Sequence, residues 1–147
     1  MIRKIGAFTA MCAILAACTT GDRKVNNNEQ LAREYFDHFN NRNWEKMTGM
    51  YTDTVAFKDP EFGTDVVLQT HQQIIAKYRG MQTMFPDIRD SIVQLYPSGD
   101  KHVIVEFVST GSSGDSIKFT LPICTIFEFR DGKISKDYTY YNMGEGQ

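Results

Sequence analysis

Cysteine is scarce in this 147-residue chain, with three residues at Cys12, Cys18 and Cys124. Spacing this wide offers no disulfide framework and no thiolate cluster. Histidine is equally thin. His38, His71 and His102 are scattered and no His-Glu-x-x-His run occurs, so a protein-built metal site is not expected. Neither a metal nor another cofactor is expected. Positive charge is not in excess either, since 16 Lys and Arg stand against 18 Asp and Glu. Without a basic stripe, nucleic acid is not an expected partner. Long apolar runs are missing apart from one near the N-terminus, and that one is shorter than the roughly 20 residues a bilayer-spanning helix needs.

What is present at the N-terminus is an address. Arg3 and Lys4 precede the apolar run Ile5 to Leu15, and Leu15-Ala16-Ala17-Cys18 has the order of a bacterial lipoprotein processing site. Residues 1–17 are expected to be removed and Cys18 to carry lipid, which converts a soluble domain into an anchored one. Thr19 follows Cys18 where an Asp would mark inner-membrane retention, so the outer membrane of a bacterial cell envelope is the expected location. Cleavage leaves residues 18–147 with 14 basic and 18 acidic side chains, one domain's worth of chain with a formal charge of −4. Residues 18–28 are polar and read as a flexible tether, and residues 29–143 as the folded domain.

Within that domain the periodicity changes once. Glu29 to Asn41 reads as a helix, with Leu31, Tyr35 and Phe39 on one face and Ala32 and Phe36 beside them. Trp44 to Tyr51 reads as a short second helix, and Val55 to Lys58 as a strand closed by Asp59-Pro60. Thr70 with Gln73 forms a capping-box pattern opening a third helix, which presents Ile74, Ile75, Tyr78, Met81 and Phe85 and ends at Pro86. After Pro86 the pattern alternates. Strands are expected over Ile88 to Tyr96, His102 to Thr110, Ile117 to Arg130 and Lys133 to Asn142, the third bending at Pro122. Asp131-Gly132 suits a tight hairpin turn. Helices followed by antiparallel strands make an α+β domain.

Four stretches resemble the SnoaL-like branch of the NTF2-like superfamily. They are Met50-Tyr51-Thr52-Asp53 running to Phe57-Lys58-Asp59-Pro60, then Met84-Phe85-Pro86-Asp87, then Phe127 to Ile134, and finally Tyr140-Tyr141-Asn142. The resemblance implies a cone in which N-terminal helices pack on a strongly curved, mixed but mostly antiparallel sheet around an apolar pocket. The chain is also similar to the ketosteroid isomerases of that superfamily. Tyr35 and Asp59, 24 residues apart, fall at the positions of their helix tyrosine and of the base aspartate before a proline. The resemblance implies that Tyr35 donates a hydrogen bond to a developing enolate and that Asp59 carries the proton. The third position of that pattern falls on Thr125, or on Cys124 with a different gap, and neither supplies a second acid.

The residues themselves leave alternatives open. Asp59 is a turn aspartate or a pocket base. Tyr35 is a core tyrosine or a donor. Asp137 is solvated with Lys133 and Ser135 if Tyr138 and Tyr140 line the pocket, or is a desolvated acid if its own face does. His38 is an exposed helix residue or reaches the pocket mouth. Phe57, Phe119, Leu121, Thr125 and Phe127 are the expected pocket wall. Two function classes follow. One is a membrane-anchored domain holding a small apolar or lipid-like ligand, or a second copy of itself as a homodimer. The other is a metal-free proton-transfer enzyme of isomerase, cyclase or hydratase type.

Overall fold

The computed structural model describes residues 27–114 and 117–142. The processing site, Cys18 and most of the tether lie outside those residues. Helix α1 (Asn27–Asn40) is followed by α2 (Trp44–Gly49), strand β1 (Tyr51–Lys58), a 3₁₀ turn (Pro60–Phe62), β2 (Val67–Thr70) and α3 (His71–Met84). Strands β3 (Arg89–Ser98), β4 (His102–Ser113), β5 (Ile117–Arg130) and β6 (Lys133–Tyr140) complete the domain. The strands form one sheet in the order β2-β1-β6-β5-β4-β3. Every neighbouring pair is antiparallel except β1 and β6, which run parallel. This is the NTF2-like α+β cone: a mixed sheet, not closed on itself, with helices against its inner face.

The buried face of α1 is Ala32, Tyr35, Phe36 and Phe39. It meets the inward row of β4, where Val103, Val105, Phe107 and Ser109 alternate with outward residues as a half-buried strand requires. The Thr70 capping box is formed. Thr70 Oγ1 accepts from the Gln73 amide at 3.4 Å, and Gln73 Oε1 accepts from the Thr70 amide at 2.9 Å. Only Ile74 of α3 is fully buried. Farther along that face Tyr78 and Met81 line a cavity, while Ile75 packs against the core.

Several boundaries differ from the sequence reading, each for a local reason. Helix α2 stops at Gly49, because Tyr51 already pairs with Ile134 of β6. Strand β1 therefore begins four residues earlier than the apolar pattern suggests. Strand β2 is too short to carry a periodic signal and is held by β1 alone. Pro122 does not shift the register of β5, which pairs as Val108↔Pro122 within an unbroken ladder. It lies beyond Cys124, the last β5 residue opposite β6, where the edge on that side is unpaired. The irregularities lie elsewhere. Val93 is an extra residue in β3 between Ile92 and Gln94, and Ser135 is one in β6 between Ile134 and Lys136.

Candidate functional site

A cavity of about 460 Å³ lies between the concave sheet and helices α1 and α3. Of the residues picked out from sequence, Tyr35, Asp59, Phe119, Leu121, Thr125, Phe127 and Asp137 line it. Phe57 does not. It is fully buried, packs against the Tyr51 ring at 5.6 Å, and belongs to the core behind the cavity, beside its β6 neighbour Asp137. His38 is not at the cavity either and sits 3.5 Å from Glu34 on its own helix.

The Ser135 bulge decides where Asp137 goes. An unbroken alternation would put Ile134 inside and Asp137 outside. The extra residue restores Asp137 to the inner face, opposite Phe127, while Ile134 stays inward opposite Phe129. Asp137 is 3 % exposed, so the solvated alternative is overturned. Its Oδ2 accepts from the Tyr51 hydroxyl at 2.5 Å, and its Oδ1 accepts from Thr125 Oγ1 at 2.9 Å and Thr139 Oγ1 at 3.1 Å. Burial pushes the Asp137 carboxyl above its ordinary value against these three donors.

From Asp137 a chain of phenols runs to the cavity wall. The Tyr51 and Tyr35 hydroxyls are 3.1 Å apart, and those of Tyr35 and Tyr78 are 3.2 Å apart. Burial, then the negative charge of Asp137, pushes the Tyr35 and Tyr51 phenols well up, so they stay protonated. Tyr78 is likewise raised by burial. Tyr51 and Tyr78 escaped the sequence reading because an inward tyrosine is indistinguishable from core by spacing. Thr125, the position where the isomerase resemblance leaves no acid, hydrogen-bonds to one instead, and Asp137 arrives from the adjacent strand.

Asp59 is both a turn residue and a cavity residue. Its Oδ1 accepts from the Glu61 amide at 2.9 Å, capping the 3₁₀ turn, and from the Tyr141 hydroxyl at 2.9 Å. Its Oδ2 accepts from Lys77 Nζ at 2.6 Å. Lys77 also meets Glu61 at 3.0 Å and lies over the Phe62 ring. Tyr35 and Asp59 thus reach one cavity by way of consecutive α3 residues, Tyr78 beside the first and Lys77 beside the second.

A third carboxyl was missed. Asp90 of β3 lines the cavity opposite Ser109 of β4 and is 9 % exposed. The signal was its parity with Ile88 and Ile92, a charged residue on an apolar face. Burial raises it to about 6, against the opposing effects of a Ser109 hydrogen bond and the Arg42 charge. Among the described residues no three His, Cys, Asp or Glu side chains gather as a metal-holding group.

Residues 32–136 match the SnoaL-like domain family. No curated protein matches the chain. Among solved structures, a protein of ketosteroid isomerase-like fold from Catenulispora acidiphila, in complex with trimethylamine, is similar at 19 % identity with a TM-score of 0.68, covering 78 % of this chain and 86 % of its own. The epoxide hydrolase/cyclase-like enzyme SalBIII of salinomycin pyran-ring formation is similar at 17 % identity and a TM-score of 0.70, over 80 % of this chain and 92 % of its own. An LEH-like epoxide hydrolase from M. tuberculosis is similar at 16 % identity and a TM-score of 0.64, over 77 % and 80 %. At these identities the likeness shows the fold.

Proposed function

The chain belongs to the SnoaL-like domain family, and from that premise we propose that its cone binds a small, largely apolar molecule bearing an oxygen function. The observation that carries this reading is the cavity itself. Its volume of about 460 Å³ falls in the range of small-molecule sites, and its aromatic and aliphatic walls are broken by a few convergent polar groups. Burying the apolar body of a ligand there supplies affinity, and the polar points fix its orientation.

The phenol chain suits a carbonyl or hydroxyl oxygen. Each hydroxyl has one proton to give, so the state of Asp137 sets the order of the chain. With Asp137 ionised, Tyr51 donates to it, and the line of donors points inward. With Asp137 protonated, the line reverses and ends as a donor toward the cavity.

Proton transfer within the same cone is the second reading, and it rests on Asp59 and Tyr35 lining one cavity. Asp59 would take a proton from carbon beside a ligand carbonyl, and Tyr35, with Asp137 protonated and the Tyr35 proton turned away from Tyr78, would hydrogen-bond the enolate oxygen. Lys77 and Tyr141 hold the Asp59 oxygens, so the base acts by exchanging one of these partners for the ligand proton.

The probe that tests both readings is 2-tetralone, an apolar bicyclic ketone. Saturable shifts of cavity resonances in NMR titration are expected, and their absence would remove the binding reading. If the domain is catalytic, deuterium exchange beside the carbonyl exceeds the buffer rate and falls about 10²–10⁴-fold in Asp59→Asn. Exchange at the buffer rate leaves ligand binding alone. We also propose that lipid on Cys18 holds this cone at the outer membrane, where an apolar ligand would be captured from the bilayer or its surface.

A further inference from the structure

Asp90 is held in place more firmly than its chemistry warrants. Asn40 Nδ2 donates to the Asp90 carbonyl at 2.8 Å, and the Asp90 amide donates to Asn40 Oδ1 at 2.9 Å. This pair pins the start of β3 to the end of α1. Ser109 stands directly across the ladder from Asp90 and lines the same cavity. One carboxyl oxygen of Asp90, Oδ1, is fully buried and has no hydrogen-bond partner among the described residues.

The protein's own cation does not fill that place. Arg42 reaches Asp90 through its charge, but its guanidinium donates to the carbonyls of Phe39, Asn40, Pro86 and Ile88. A buried carboxyl oxygen without a donor costs free energy, more when it is charged. Ile88 and Ile92 show that this face of β3 otherwise carries apolar side chains. Asp90 is therefore a polar group that the fold tolerates and does not itself complete.

The surroundings indicate what completes it. Asp90 and Ser109 open onto the cavity beside Phe36 and Phe107, whose rings pack edge to face at 4.8 Å. A carboxylate among aromatic rings accepts a cation better than a neutral donor, because the ion pair and the ring faces act together. Tyr35, Asp90 and Asp137 all line one cavity. We propose that Asp90, with Ser109 beside it, is the recognition point for a protonated primary or secondary amine on an otherwise apolar ligand. This rests on the binding reading above and narrows it to a class, an apolar molecule with an amine head.

Two probes of one shape test it, 2-(aminomethyl)naphthalene and 2-methylnaphthalene, titrated by NMR at pH 7.5. The amine is expected to bind roughly 10- to 100-fold more tightly than the hydrocarbon, the range of a charge-assisted contact. Asp90→Leu should abolish that preference, bringing the two affinities together. Asp90→Asn, which keeps the shape, should also abolish it, and serves if the leucine variant does not fold. Equal affinities in the wild type, as a fixed water on Oδ1 would give, overturn the amine assignment and leave the binding reading intact. A preference that survives both substitutions overturns it too. Failure of both probes to bind overturns both readings.

Discussion

Asp59, Asp90 and Asp137 line one cavity but keep different company. Asp59 has an ammonium, a phenol and a backbone amide. Asp137 has three hydroxyls. Asp90 has an orphan oxygen, and its consequence for stability follows from its raised value of about 6 against an ordinary 3.8. Below the lower value both folded and unfolded chains are protonated there, and Asp90 costs nothing. As pH rises toward 6 the unfolded chain gives up its proton first, so stability falls, by about 3 kcal/mol in all, and is flat above. Asp137 is also raised and acts in the same direction, so the comparison must isolate one residue. In urea unfolding, Asp90→Asn should gain stability relative to wild type by about that amount between pH 4 and 7, against a constant difference if Asp90 titrates normally. The parity of Asp90 with Ile88 and Ile92 made it visible in the sequence. The environment of Asp137 was not visible, because its face depends on one bulge.

At the scale of elements, legibility followed local rules. The Thr70–Gln73 cap, the Asp131-Gly132 turn with φ values of 51° and 74°, and the alternation of β4 were all readable from neighbours in sequence. Strand β2 and the early start of β1 were not, since their pairing partners, not their composition, make them strands. Val93 and Ser135 were not either, because an inserted residue reverses parity without changing residue type. Across β4 and β5, Gly111 faces Phe119 in register. A Cβ on Gly111 would stand 2.7 Å from the Phe119 ring and 3.3 Å from the Phe85 Cβ, while Phe119 and Phe85 already pack edge to face at 4.9 Å. Gly111→Ala should therefore displace Phe119, lower unfolding free energy by about 1–3 kcal/mol and weaken 2-tetralone binding. Thermal unfolding and the same NMR titration report both effects. Unchanged values would mean that the ring moves freely aside.

For the whole molecule, anchoring and folding meet. No helix among the described residues is long and apolar enough to cross a membrane. Attachment is therefore argued from Cys18 alone, and Cys18→Ala should move the protein from the membrane fraction to the soluble one or leave an uncleaved precursor. A wild-type protein that is soluble and unmodified on fractionation and mass spectrometry would refute the anchor. The last strand, β6, lies between β1 and β5 in the middle of the sheet, paired parallel to the first. Until β6 is made, the chain holds only a β1–β2 ribbon and a β3–β4–β5 meander with no seam between them. Asp137 arrives with that seam, so the polar floor of the cone is laid last. A polypeptide whose two sheet halves are joined only when β6 is made stays threadable while it is being synthesised, which would suit the export we propose for this chain.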